Sequence, residues 1–449
     1  MSSAYAVNYH LRAHKRDTFI EFIKSLLLNP FVLHTRIKDP DHSAWSPLGP
    51  PGTIQALQAA QTTQTTQTGS GLDRDLDRYC EVLECIEELI VDHIHNHEQG
   101  HPELSRLVQL VPSIGRFYTP LPLKTAFLKV NKARAIAARR NVPPSFNDIR
   151  YILNSAQVLA IHPALRLVTF DGDMTLYADG ADFERDSQLV GLIIDLLKHG
   201  LHVAVVTAAG YPGNAARYEK RLSGLLEGMR GSNLGSVCLE RFYVLGGECN
   251  YLFQYNAASG SLVYIPEESY QSEAVKCWSN ATDRITDLLN IAQANLESYR
   301  TELGLTDDRA FIVRKPRALG LCAAPGVKLT REVLDECALG VQKTLNNYLY
   351  LGKLKAAARG DASWVSIPFC AFNGGNDMWV DIGNKLIGVQ ILQQYLGTHG
   401  HETLHLGDQF LSTGNDIATR SACCTIWITS PEETAEVLND LRDLLESRA

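Results

Sequence analysis

Residues 167–177 read Leu-Val-Thr-Phe-Asp-Gly-Asp-Met-Thr-Leu-Tyr. An apolar run stops at two carboxylates, Asp171 and Asp173, with one glycine between them and Thr175 two residues on. A short apolar run bounded by Gly and Asp reads as a buried strand. The acids then stand at its carboxyl end, where open α/β sheets collect ligands. Burying two like charges there is costly unless they serve a cation or a reaction.

Three further pieces fall at similar places. Thr207 ends a second apolar run, Val203-Ala-Val-Val-Thr207. Lys385 follows Asp381-Ile-Gly-Asn and opens a helical pattern. Asp408 follows the run Glu402–Gly407, with Asp416 eight residues on. Together they match what phosphoryl transfer through an aspartate requires. A carboxylate can attack phosphorus and form an acyl phosphate. Magnesium shields its charge and takes oxygen ligands, which Asp171 and Asp408 can supply. A second carboxyl, Asp173, protonates the leaving alkoxide and then takes a proton from water. Thr207 and Lys385 can hold the phosphate oxygens as charge develops. Asp416 either supports the metal ligands from behind or caps a helix. Lys385 stands at a helix start, where the dipole disfavours a cation, so its placement there asks for a reason.

The elements that must position these residues follow from periodicity. Leu167–Phe170 reads as a strand, Leu189–His199 as a helix closed by Gly200, and 203–207 as a second strand. Strand, helix and strand at this spacing make a βαβ unit with parallel strands. Residues 211–380 read as a mixed α+β insertion. It holds strand patterns at 242–245, 251–255, 262–265, 311–313 and 364–367, and helical patterns at 271–303 and 328–352. The core pattern then resumes with a helix over 385–396, strands at 402–406 and 424–428, and a helix over 431–447. The expected fold is α/β: a core of 151–210 and 381–449 with the cap 211–380, after a mainly helical region 1–150. Within that region 18–28 and 72–98 read as helices. The run 50–71, rich in Gln and Thr, reads as a flexible loop.

The chain has 449 residues, 45% hydrophobic and 20% charged, with a net charge of −8. That suits a soluble multi-domain protein and argues against nucleic acid or a membrane surface as its partner. No apolar stretch is long enough to span a bilayer. The ten scattered cysteines lack a Cys-x-x-Cys pair, and a cytoplasmic location with reduced thiols is the simplest account. His93, His95 and His97 alternate and do not share a helix face, so they read as solvated rather than metal-binding. Residues 112–150 carry eight Lys and Arg against the single acid Asp148, a solvated face or an anion site. Arg314, Lys315 and Arg317 either face a phosphate or form a solvated loop. Trp278, Trp364 and Trp379 either stack a base or fill the core.

The four pieces, in this order, resemble the four motifs of the haloacid dehalogenase superfamily of phosphohydrolases. The resemblance covers 165–210 and 380–430. It implies a Rossmannoid core with a parallel sheet, and a C2-type cap between the second and third motifs. The superfamily often has Gly after the second Asp of the first motif; here Met174 stands there. A closer likeness is to the IMP-specific 5′-nucleotidases of fungi and apicomplexans. It rests on Phe170-Asp-Gly-Asp-Met-Thr-Leu-Tyr-Ala-Asp-Gly180, Pro143-Pro-Ser-Phe-Asn-Asp-Ile-Arg150 and Gly407-Asp-Gln-Phe-Leu-Ser-Thr-Gly-Asn-Asp416. It implies magnesium-dependent hydrolysis of IMP to inosine and phosphate. Asp171 would be the nucleophile and Asp173 the acid/base. Asp171 and Asp408 would bind the metal, with Asp173 adding its backbone carbonyl. Asp173, Asp179, Thr207 and Lys385 would contact the nucleotide. The family also implies a homotetramer activated by ATP, with 116–150 the place to look for that effector. Two other chemistries fit the same motifs: a phosphatase on another small ester, such as nicotinamide mononucleotide or a sugar phosphate, or a phosphomutase. A non-catalytic nucleotide sensor, whose acids only bind magnesium, is the further alternative.

Overall fold

A computed structural model describes residues 17–36, 71–361 and 363–447. The 50–71 loop reading therefore lies outside the described residues, except that Gly71 is the first residue of a helix. Two compact units are present, one of residues up to 114 with 120–156, the other of 115–119 with 157 onward.

The first unit is helical. Its long elements are α1 (Thr18–Arg36), α2 (Gly71–Glu98) and α3 (Leu123–Arg134), followed by α4, which begins at Phe146 and ends at Ile161. Helix α2 buries Tyr79, Leu83, Ile86 and Ile90, one stripe at helical spacing. Tyr79 stacks on Phe127 of α3, ring centres 5.6 Å apart. His93 departs from the solvated reading. It is fully buried, and its Nδ1 lies 2.9 Å from the Ser105 hydroxyl, because it falls on the same stripe. Three of the eight basic residues of that stretch have acidic partners. Arg139 forks onto Asp148 at 2.6 Å with Arg134 beside it, and Lys124 pairs with Glu84.

The second unit is built on a seven-stranded sheet. Its strands are β1 (Leu167–Phe170), β2 (His202–Val206), β3 (Phe242–Gly246), β4 (Tyr251–Asn256), β5 (Ser261–Tyr264), β10 (Thr403–Gly407) and β11 (Cys424–Trp427). The order is β11-β10-β1-β2-β3-β4-β5, parallel from β11 to β3 and antiparallel beyond. Chain direction across the sheet reverses beside β1, whose neighbours are β2 and the much later β10. Both faces are covered. Val168, Phe170, Val203, Val205, Leu404 and Leu406 point into one apolar cluster, while Leu167, Ala204 and Val206 point into the other. This is the period-two alternation of a sheet packed on both sides. Helices α5 (Gln188–Lys198) and α6 (Ala215–Arg221) follow β1 and β2 in the chain.

The remaining insertion carries a separate four-stranded antiparallel sheet, order β6-β7-β9-β8. Its strands are β6 (Ala310–Lys315), β7 (Ala318–Ala323), β8 (Phe369–Asn373) and β9 (Asp377–Ile382), with α7 (Thr282–Glu302) and α8 (Arg331–Arg359) packed on it. The chain returns to the core through α9 (Lys385–Leu396) and ends in α10 (Pro431–Glu446).

Two sequence expectations are corrected here. The strand patterns at 242–265, read as part of the insertion, are hydrogen-bonded into the core sheet, because β3 pairs in parallel with β2 and carries β4 and β5 with it. The strand expected at 364–367 is absent. Pairing starts after Pro368, which has no amide to donate, with Phe369 opposite Ile382.

Candidate active site

The strand register assembles the site. Phe170 lies opposite Val205 on one side and Leu406 on the other. The residues that leave the ends of β1, β2 and β10 are therefore neighbours: Asp171, Thr207 and Asp408. The Asp171 amide still donates to the Leu406 carbonyl at 2.9 Å, which locks the turn to the sheet.

Lys385 sits at the centre. It is the first residue of α9, and Asn384 caps that helix by accepting the Ile387 amide at 3.0 Å. A cation at a helix N-terminus opposes the dipole, and this one is fully buried. Two carboxylates answer it: Nζ is 2.7 Å from an Asp171 oxygen and 2.7 Å from Asp416 Oδ1. Asp416 also accepts from His405 Nε2 at 3.0 Å and from the Gln409 amide at 2.9 Å. His405 Nδ1 lies 2.9 Å from the Thr169 hydroxyl. Burial holds His405 below the usual histidine range, so the neutral ring donates from Nε2 to Asp416 and accepts from Thr169 at Nδ1. Asp416 precedes a short 3₁₀ turn, but its side chain makes no capping bond. Of the two sequence readings, the cap is not what the structure shows.

Asp171, Asp408 and Asp416 bring one carboxylate oxygen each to within 4.8 Å of one another. Burial, opposed by Lys385, raises Asp171 to about 7. Burial, with Asp171 and Asp416 adding to it, raises Asp408 to about 9. Asp416 stays charged despite its burial, since Lys385 and His405 hold it well below the carboxylate range. Asp408 Oδ1 is buried with no hydrogen-bond partner. Oxygen-only donors, crowded negative charge and an orphan carboxylate oxygen fit a hard divalent cation such as magnesium.

Asp173 points elsewhere. Its Oδ1 accepts from Arg221 Nη2 and from the Gly180 amide, both at 3.1 Å, and its side chain is 39% exposed. Arg221 also donates to the Gly180 carbonyl at 2.7 Å and lies over the Tyr177 ring. Two acids one residue apart thus occupy different environments. The turn between them explains how. Gly172 admits no side chain, because a Cβ there would lie 2.4 Å from the Tyr177 hydroxyl. Met174 takes φ = 57°, a left-handed conformation that glycine adopts more cheaply, at the position where the wider superfamily often has Gly. A Cβ on Gly172 would also lie 3.7 Å from Thr207 Oγ1, which places Thr207 beside the turn. Asp179 extends toward the insertion: a Cβ at Gly375 would lie 3.4 Å from its Oδ2.

Among the other sequence candidates, Arg314 serves α7, binding Gln293 and Asn290. Arg317 is bound to Asn250 and Ser279. Lys315 lies 4.3 Å from the Trp379 ring centre and 5.7 Å from that of Tyr211. Trp278 is buried in the core, and Trp364 packs against Gly352 and Arg284.

Sequence reasoning missed Arg221, His405 and Glu248. Glu248 is fully buried at φ = 65°, with one oxygen bound to Asn415 at 2.8 Å and its amide on the Thr207 carbonyl. A histidine inside the apolar run Leu404–Leu406 and a glutamate after Gly246-Gly247 were the available signals.

The sequence profile of the IMP-specific 5′-nucleotidase family matches residues 1–438. The chain belongs to that family. The IMP-specific 5′-nucleotidase 1 of Yarrowia lipolytica is 40% identical to it over 461 residues, covering 99% of this chain and 98% of its own. The protein of the same name from Neurospora crassa is 41% identical, covering 99% of each. Among solved structures, N-terminally truncated, IMP-bound Plasmodium falciparum IMP-nucleotidase matches with TM-score 0.76 and 33% identity, over 95% of this chain and 96% of that one. ATP-bound Plasmodium falciparum IMP-nucleotidase matches with TM-score 0.73 and 33% identity, over 97% and 87%. The family places this chain among the phosphoric monoester hydrolases, on the haloacid dehalogenase-like fold expected from its motifs. Among the described residues no helix is long and apolar enough to cross a membrane.

Proposed function

We propose that the chain is a magnesium-dependent 5′-nucleotidase that hydrolyses IMP to inosine and phosphate through a phosphorylated Asp171. The carrying observation is Asp171 itself. It is held by buried Lys385 inside a three-carboxylate cluster, in a chain that matches IMP-specific 5′-nucleotidases over nearly its whole length.

Asp171, Asp408 and Asp416 are the residues that would hold the metal. When bound, magnesium supplies the positive charge that lets a carboxylate approach a phosphate dianion. Lys385 keeps Asp171 oriented, and Thr207 beside Gly172 offers a hydroxyl to the phosphate oxygens. An Asp171 oxygen bonds to phosphorus as the bond from phosphorus to O5′ breaks. Asp173, in its acid form, gives its proton to O5′, and inosine leaves. Asp173 then takes a proton from a water that attacks phosphorus. The acyl phosphate bond breaks, phosphate leaves and the Asp171 carboxylate is restored. Asp179, reaching toward the insertion, would contact the nucleotide. The four-stranded sheet with α7 and α8 would act as the cap.

An ATP-bound relative supports ATP as an activator, and we extend the reading to a cytoplasmic homotetramer. Exposed Tyr350, Leu351 and Leu354 on α8 suit contact between copies. The deciding experiment measures phosphate release by the full chain from IMP, AMP, GMP, nicotinamide mononucleotide and sugar phosphates, with magnesium, with and without ATP. IMP should be strongly preferred, and Asp171→Asn should be inactive. Preference for another ester, or isomerised product without free phosphate, would overturn the reading.

A further inference from the structure

Glu248 stands in the turn between β3 and β4 and is fully buried. Its backbone takes φ = 65°, which glycine adopts more cheaply. One carboxylate oxygen accepts from Asn415 Nδ2 at 2.8 Å, and the other is buried with no partner. Burial, opposed by Lys385, raises the group to about 7. A left-handed backbone, a buried acid and an orphan oxygen each cost stability. Glycine at this position would avoid all three. The steps at phosphorus do not use Glu248, so its side chain has another task.

Three parts of the site meet on this residue. Its amide donates to the Thr207 carbonyl at 2.9 Å, and the Gly247 amide donates to the Ala209 carbonyl at 3.0 Å, so the turn clasps the end of β2. Its carbonyl oxygen lies against Gly388 of α9, where a side chain would find no room. Gly388 is three residues after Lys385 and on the same helix face. Its carboxylate holds Asn415, whose neighbour Asp416 forms the buried pair with Lys385. The backbone contacts would survive a change of side chain at 248; the bond to Asn415 would not. That bond is also the one hydrogen bond of the Asn415 side chain among the described residues, and Asn415 Oδ1 is buried without a partner. The task of the Glu248 side chain is thus at residue 415, one step along the chain from the carboxylate that aims Lys385.

We propose that Glu248 is a positioning residue: its carboxylate anchors Asn415 and so sets where Asp416 presents its oxygens to Lys385 and to the metal. The assignment rests on the nucleotidase reading, with Asp416 in the metal cluster, and adds to it a residue that the four motifs do not contain.

The test uses the full chain, read by phosphate release from IMP and by magnesium calorimetry without substrate. Glu248→Gly suits the left-handed backbone and removes a buried acid, so it should fold with a melting temperature close to that of wild type. Its kcat should nevertheless fall about 10- to 100-fold, the scale of a misplaced catalytic group, with KM for IMP little changed. Magnesium should bind it several-fold more weakly. Glu248→Gln keeps an acceptor for Asn415 and should restore most of both properties. Asn415→Ala should match the glycine variant in kcat, and the double variant should be no worse than either single one, because all three lack the same bond. Wild-type kcat and magnesium affinity in Glu248→Gly would overturn the assignment, as would losses that add in the double variant. A glutamine variant as impaired as the glycine one would also overturn it, in favour of a charge that acts on Lys385 directly. Absence of phosphate release from IMP by wild type would remove the nucleotidase reading, and the magnesium affinities would still decide the role of Glu248.

Discussion

Lys385 and Asp416 form a fully buried ion pair, 2.7 Å from Nζ to Oδ1, directly behind the Asp171 carboxylate. Asp416 is in turn held by His405 and the Gln409 amide, so the ammonium is aimed by a fixed anion rather than by solvent. Removing one partner of such a pair strands the other charge in the interior. Asp416→Ala should therefore lower unfolding free energy by about 3–5 kcal/mol, read by urea denaturation. Asp416→Asn keeps the shape and loses the charge. It should fold, with kcat for phosphate release down at least about tenfold, since it removes a carboxylate from the metal-holding cluster and leaves Lys385 leaning on Asp171 alone. A variant with normal kcat would show that Asp416 neither holds the metal nor keeps the lysine in place.

The acid cluster predicts proton-linked metal binding. Burial and the neighbouring acids raise Asp408 to about 9, so without metal its carboxyl holds a proton at neutral pH. A divalent cation must displace that proton. Magnesium affinity should rise by about tenfold per pH unit from about pH 7 to about pH 9, the range in which Asp408 rather than Asp171 holds the proton to be released. Calorimetry in buffers of different ionisation enthalpy measures the release directly. Asp408→Asn should abolish the magnesium-dependent rise in melting temperature. At pH 7 without metal it should leave stability nearly unchanged, because it replaces an already neutral group. Chelator should stop phosphate release, and added magnesium should restore it.

Arg221 reaches back across 48 residues to hold Asp173 at 3.1 Å. It fixes the acid and ties the Gly180 turn to α6. Arg221→Gln should lower kcat for IMP by about 10- to 100-fold, part of what a positioned general acid contributes. Arg221→Lys keeps the charge without the fork and should recover only part of that loss. A substrate with a nitrophenol leaving group needs little protonation, so the variant should be much less impaired on it. Equal loss on both substrates would assign Arg221 to phosphate binding.

Asp171, Lys385 and Asp408 were legible because each directly follows an apolar run or opens a helix, and parallel register then makes strand ends neighbours. Thr207 was legible for the same reason. Arg221, His405 and Glu248 were not. Arg221 sits in an ordinary charged helix segment, and its partner is chosen by packing. Glu248 depends on a left-handed backbone at φ = 65°, of which the preceding Gly246-Gly247 is the only local sign. The strands at 242–265 alternate well enough to be recognised, but periodicity does not say which sheet they join. That is decided by β3 pairing with β2. His93 reads as polar until α2 is seen to place it on the buried stripe.

His202, the first residue of β2, gives a pH dependence that is independent of the catalytic groups. Burial, then the charges of Arg241 and Arg166, lower it to about 4, and its Nδ1 is buried without a partner. The unfolded chain takes up this proton near pH 6.5, while the folded chain resists it down to about 4. The contribution is complete above pH 6.5 and is lost as pH falls toward 4. Its size is on the order of 2 kcal/mol, after allowance for partial solvent access. Urea unfolding of the full chain at pH 7.5 and pH 5 should show stability falling with pH. In His202→Gln, which cannot charge, the fall should be smaller by roughly 1 kcal/mol, since only part of the 6.5-to-4 window is crossed by pH 5. An unchanged slope would place the His202 ring in water rather than against Tyr243, whose ring centre lies 6.0 Å away.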